Sequence, residues 1–145
     1  VPRADRLEDL VPHAGSMCLL EYVLDCTPER ILTGTGTHRR ADNPLRSRGR
    51  LRAVHLCEYG SQAMAVHGGL LAREAGGRAP PGMLVSLREV SFGIGFLEAL
   101  PGDLMVEATR LHGTPAGWQY AFRVTHEGVE LAQGRAAVIL QAGRG

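Results

Sequence analysis

The chain has 145 residues, 44% of them hydrophobic and 21% charged, with a formal net charge of +1. That length supports one domain with a sizeable core, that balance excludes a disordered chain, and the near-neutral charge gives no electrostatic case for nucleic acid as the main partner. No apolar run approaches bilayer length, residues 1–6 lack a charged-then-apolar leader pattern, and Cys18, Cys26 and Cys57 show neither disulfide-framework nor metal spacing, so a cytoplasmic chain without membrane association is expected.

Leu7 to Val11 reads as a short helical turn and Pro12-His13-Ala14-Gly15-Ser16 as a loop. Met17 to Cys26 is rich in strand formers and ends at Thr27-Pro28. Arg30 to His38 reads as a second strand, with Thr33, Thr35 and Thr37 on one side. Gly34 and Gly36 on the other side predict a close backbone neighbour. Arg40 to Gly49 is an irregular polar loop around Asn43-Pro44.

A long helix is predicted from about Leu51 to Arg73, stopped by Gly76-Gly77 and Pro80-Pro81-Gly82. Its interior holds Gly60, Ser61, Ala63, Ala65, Gly68 and Gly69. Glycine costs about 1 kcal/mol against alanine in a helix, so this choice predicts an element wrapped closely around it. Strands follow at Met83 to Phe92, Leu104 to Leu111, Trp118 to Val124 and Val129 to Leu140. Trp118, Tyr120, Phe122 and Val124 share one face, and the last three strands form an antiparallel meander with short turns. Two strands, one helix and four strands make an α+β fold. Periodicity alone reaches no further than α+β; a hotdog fold, an antiparallel sheet of about six strands wrapped around one long central helix, is the expected architecture, here as a single domain over residues 1–145.

The predicted helix carries one polar stripe. His55, Glu58 and Gln62 are spaced three and four apart and share a face. A carboxylate on a mostly apolar helix is costly unless something uses it, and imidazole with carboxylate moves protons near neutrality. The structural alternatives are a Glu58 that caps or bridges to an arginine and a His55 satisfied in a core or interface. Among the other histidines, His38 beside Arg39 and Arg40 reads as a solvated strand end and His67 as packing. His13 reads as fixing its own loop, and His112 and His126 as exposed near turns. Cys57 adjoins the stripe without belonging to it and reads as a small buried hydrophobe.

Leu10-Val11-Pro12-His13-Ala14-Gly15-Ser16-Met17-Cys18-Leu19-Leu20 resembles the N-terminal signature of bacterial dehydratases acting on 3-hydroxyacyl thioesters of acyl carrier protein. Glu58-Tyr59-Gly60-Ser61-Gln62-Ala63 is similar to their central-helix motif, and Pro101-Gly102-Asp103-Leu104 to the turn before their meander. These matches fall in the family's order. His55, Glu58-Tyr59, Gln62-Ala63-Met64-Ala65 and Gly68 most resemble the branch associated with aryl polyene clusters.

The resemblance implies dehydration to a 2-enoyl thioester, with Glu58 carried over as catalytic. The family's loop histidine is absent: its place falls near Pro44, and Arg40 to Gly49 holds no histidine. Either His55 substitutes from the helix start, or His38 reaches in from its strand, or the chemistry is lost. With His55 as base at C2 and Glu58 as acid for the 3-hydroxyl, Gln62 would orient Glu58 or hold the displaced water. Backbone N–H groups at the helix start would suit the thioester oxygen. Neither metal nor organic cofactor is required.

The partner implied is an acyl carrier protein with its phosphopantetheine-linked substrate. Arg39, Arg40, Arg46, Arg48, Arg50 and Arg52 are either a solvated loop or its docking surface. A homodimer joined edge to edge, with sites at the subunit boundary, is also implied. The rival functions are a thioesterase using Glu58 to activate water and a non-catalytic module that binds acyl carriers.

Overall fold

The computed structural model describes residues 18–77 and 82–140; the expected turn at Leu7 to Val11 and the loop containing His13 lie outside them. Strand β1 (Tyr22–Cys26) runs into β2 (Arg30–Thr35), and Thr27 N donates to Arg30 O at 2.8 Å across the turn. A 3-10 turn at Thr37–Arg39, the arginine-rich loop and a second 3-10 turn at Ala53–His55 lead into helix α1 (Leu56–Glu74). Strands β3 (Gly82–Phe92), β4 (Leu104–Thr114), β5 (Gly117–His126) and β6 (Val129–Leu140) complete the described elements. The six strands form one antiparallel sheet in the order β1-β2-β4-β5-β6-β3. This is the α+β hotdog arrangement, with the meander where the alternation places it.

The buried face of α1, including Leu56, Tyr59, Ala63, Met64, Val66 and Leu70, lies against the inward side chains of β4 and β5. Those are Leu104, Val106 and Ala108, with Tyr120, Phe122 and Val124. Alternation along the strands therefore sets which side packs on the helix. Trp118 is only half-buried: it lies beside the β4–β5 hairpin turn, with the Arg110 guanidinium 3.5 Å from its ring centre. Glu127 (φ 50°) and Gly128 (φ 81°) supply the two left-handed residues that a tight β5–β6 hairpin requires.

Boundaries differ from the sequence reading where the chain leaves regular pairing. β2 stops at Thr35 because the next residues close a 3-10 turn, Arg39 N donating to Gly36 O at 3.1 Å. The close neighbour of Gly34 is the Tyr22 ring, which an added Cβ would overlap, and not a backbone. The helix begins later than expected because residues 53–55 form a 3-10 turn. It ends as the glycines predict: Gly76 at φ 84° donates to Arg73 O, and Gly77 N to Ala72 O, the paired bonds of a Schellman motif. β3 forms one sheet edge, is bulged near a left-handed Glu89 (φ 54°), and leaves Leu87 and Phe92 exposed. No helix among the described residues is long and apolar enough to cross a membrane.

Candidate active site at the start of the central helix

The stripe predicted from spacing sits at the first turns of α1. The Ala53–His55 turn is held against a neighbouring segment by Ala53 N donating to Gly95 O at 2.9 Å, and His55 N donates to Arg52 O at 3.1 Å. His55 takes the N-cap position with a half-buried ring that makes no capping hydrogen bond. Glu58, one turn on, is half-buried and is the acidic residue of the first helical turn.

Gln62 is fully buried at 1% exposure. Its Nε2 donates to Glu58 Oε1 at 3.4 Å, and its Oε1 accepts from Leu19 N at 2.8 Å. The structure thus joins Gln62 to Glu58 and sets His55 one turn before Glu58. Because the 3-10 turn feeds directly into α1, the Leu56 amide is committed to Ala53 O and Val54 O, so it is not a free donor for a thioester oxygen.

The segment that meets Gln62 is anchored from behind. Thr35 Oγ1 and Thr37 Oγ1 donate to Leu19 O at 2.5 and 2.7 Å. Tyr59 Oη lies 2.9 Å from Thr37 Oγ1 and accepts from Asn43 Nδ2 at 3.1 Å. Burial raises the Tyr59 pKa, so its phenol stays protonated and can donate to Thr37. Asn43, beside the place where the family histidine would fall, is fully used: Nδ2 also donates to Thr37 O, and Oδ1 accepts from Leu45 N, both at 2.9 Å. Sequence reasoning misses this network, although the alternation of Thr33, Thr35 and Thr37 on a core-facing side was its available signal.

Two histidines are corrected. His38 is not a solvated strand end but fully buried, because the 3-10 turn swings its ring inward. Its Nε2 donates to Leu100 O at 2.9 Å, and desolvation, with Arg39 and His126 nearby, lowers its pKa. That commitment to the turn before β4 leaves His55 as the histidine at the helix start. His126, expected to be exposed, is buried and donates Nε2–H to Pro101 O at 2.6 Å. His67 packs in the core as expected, between Tyr120 Oη at 2.8 Å and Thr27 O at 2.7 Å. Cys57 is half-buried and burial raises its thiol pKa, against a nucleophilic thiolate.

The arginine loop lies outside this helix start. Arg39 pairs with Asp103, Arg40 with Asp42 and Arg50 with Glu98, while Arg46 donates to the carbonyls of His38 and Arg39. Arg48 and Arg52 are exposed. A crevice too tight to hold a water molecule lies beside Thr37, Arg40, Asp42 and Asn43, and an open groove of about 480 Å³ is lined by charged residues including Glu107, Arg123, Glu130 and Arg135. Neither is lined by His55 or Glu58. Among the described residues no group of three His, Cys, Asp or Glu side chains is placed to hold a metal ion.

A family model described as ApeP dehydratase matches residues 5–142. Among solved structures, the chain is similar to the dehydratase heterocomplex ApeI:P from Xenorhabdus doucetiae, at 20% identity, TM-score 0.86, and coverage of 97% of this chain and 93% of that one. It is similar to a hypothetical thioesterase with coenzyme A from Streptococcus pneumoniae at 11% identity and TM-score 0.59, covering 85% of this chain and 87% of that one. It is also similar to a mutant of the phenylacetic acid degradation protein PaaI from Thermus thermophilus at 17% identity and TM-score 0.59, covering 82% and 91%. At these identities the structural matches speak for the shared fold. No curated protein matches the chain significantly in sequence.

Proposed function

The chain belongs to the ApeP-like dehydratase family and is a dehydratase of aryl polyene biosynthesis; from that premise we propose that His55 and Glu58 are the pair that removes water from a 3-hydroxyacyl thioester. His55 takes the proton from C2, and Glu58 delivers a proton to the departing 3-hydroxyl, leaving a 2-enoyl thioester and water. Gln62, bonded at once to Glu58 and to the Leu19 backbone, holds the carboxylate in its rotamer. The observation that carries this reading is the placing of imidazole and carboxylate on successive turns at the half-buried start of α1.

The substrate is delivered on the phosphopantetheine arm of an acyl carrier protein in the cytoplasm. The exposed arginines preceding α1 suit an acidic carrier and the phosphate of its arm. A second subunit, either another copy or a related dehydratase chain, adds to the β3 edge and encloses the acyl chain, which the single chain leaves uncovered. The exposed Leu87 and Phe92 on that strand support this assembly.

Glu58→Gln and His55→Ala test the assignment. Each variant is expected to lose about 100-fold or more in enoyl formation from a 3-hydroxyacyl carrier substrate while unfolding at the wild-type urea midpoint. Near-wild-type turnover by both would remove the pair from the mechanism. Release of free carrier thiol in place of enoyl product would make the protein a thioesterase, and tight binding without turnover would make it a binding module.

A further inference from the structure

Building on the dehydratase reading, we propose that Phe96 is the surface that selects a conjugated, aryl-bearing acyl chain over a saturated one. The segment carrying it runs beside the approach to α1. Ala53 N donates to Gly95 O and Leu97 N to Leu51 O, both at 2.9 Å, and Phe96 bridges to Arg52. Arg52 is also the residue whose carbonyl receives the His55 amide at 3.1 Å. Phe96 is therefore fixed next to the turn that presents the proposed base.

The ring is left 41% exposed, and Val54, next to His55, is 54% exposed. Phe96 nevertheless differs from an ordinary surface aromatic, because one of its faces is covered by a braced cation. The Arg50 guanidinium lies 3.7 Å from the ring centre. Arg50 Nε donates to Glu98 Oε2 at 2.6 Å, and Glu98 Oε1 accepts from Leu51 N at 2.8 Å. The carboxylate thus ties the guanidinium to the backbone of the same segment that enters α1.

A cation over one face draws the electron density of the ring toward itself. The opposite face is then electron-poor and suits a flat, electron-rich conjugated chain in offset stacking. A saturated chain gains only ordinary apolar contact there. Phe96 touches the substrate in this proposal, whereas Arg50 and Glu98 are positioning residues that act through the ring.

The test compares the wild type with Phe96→Leu and Arg50→Gln. Two 3-hydroxyacyl thioesters of equal chain length are loaded on the same carrier protein, one with a phenyl-capped diene tail and one saturated. Phe96→Leu is expected to lower kcat/KM on the aryl substrate about two- to tenfold more than on the saturated one, the range for an aromatic pair. Arg50→Gln is expected to lower the aryl-to-saturated ratio of kcat/KM by less, in the same direction, since any loss of carrier docking falls equally on both substrates. An unchanged ratio in Phe96→Leu, no loss on either substrate, or a loss that tracks a changed oligomeric state on size exclusion would overturn the proposal. Binding of non-hydrolysable pantetheine amides of the two acyl groups is measured in parallel. If the wild type turns over neither thioester, the dehydratase reading fails by itself. Phe96 is then judged on whether a binding preference for the aryl amide disappears in Phe96→Leu or persists.

Discussion

Tyr59 carries a hydroxyl into a site with no exposure to solvent, where every hydrogen bond lost is lost to a dry interior. The bonds there have one consistent direction. The Asn43 amide donates to Tyr59, Tyr59 to Thr37, and Thr37 to the Leu19 carbonyl. Leu19 then donates its N–H to Gln62, which holds Glu58. Tyr59→Phe keeps the ring and removes only the oxygen, so Asn43 and Thr37 each lose a partner in a place water does not reach. The expected cost is about 1–3 kcal/mol of unfolding free energy, read from the urea midpoint at constant slope. Because the chain of bonds ends at Glu58, the variant should also lower kcat more than it raises KM. A wild-type midpoint would show that the network contributes no stability.

At the scale of elements, the helix glycines divide into those the packing uses and those it does not. A Cβ on Gly60 would meet the Phe122 ring at 2.7 Å, and that ring is already pinned from the sheet side, where a Cβ on Gly134 would meet it at 2.8 Å. A Cβ on Gly68 would meet nothing within 4 Å. Both changes to alanine gain helix propensity of about 1 kcal/mol. Only Gly60→Ala also overpacks, at a typical cost of about 1–3 kcal/mol. Gly68→Ala should therefore raise the melting temperature by a few degrees and Gly60→Ala should lower it, measured by calorimetry; shifts of the same sign would refute the distinction.

Sequence alone identified the glycines as a sign of close wrapping but could not say which ones are wrapped, since that depends on where Phe122 lands. The same limit runs through the site. The periodicity of His55, Glu58 and Gln62 is local to one helix, and so it was legible. The burial of His38 and His126 was not, because both rings are enclosed by a turn distant in sequence, at Leu100 and Pro101. Nor did any local pattern reveal that Phe96 lies opposite Arg52, which is a tertiary pairing.

Across the whole molecule, two fully buried histidines fasten separate parts of the fold, and both do so as neutral rings. His38 joins the 3-10 turn after β2 to Leu100, facing Arg39, His126 and Asp103. His67 joins α1 to Thr27 in the β1–β2 turn and to Tyr120 on β5, facing Arg110 and Glu29. Desolvation is the main cause that lowers each pKa, and it outweighs the hydrogen bond to a carbonyl that would raise it. A folded-state pKa below the unfolded value of about 6.5 means that the unfolded chain binds protons more readily. The stability from these rings is therefore fully present above about pH 6.5 and falls as the pH drops below it. Each histidine can contribute a slope of up to about 1.4 kcal/mol per pH unit. Most carboxylates titrate lower, near pH 4, so the window between about pH 5 and 6.5 isolates the imidazoles. Urea midpoints across that window should decline for the wild type and decline less steeply for His38→Gln and for His67→Gln. A flat wild-type profile would mean that neither ring must stay neutral for the sheet and helix to remain joined.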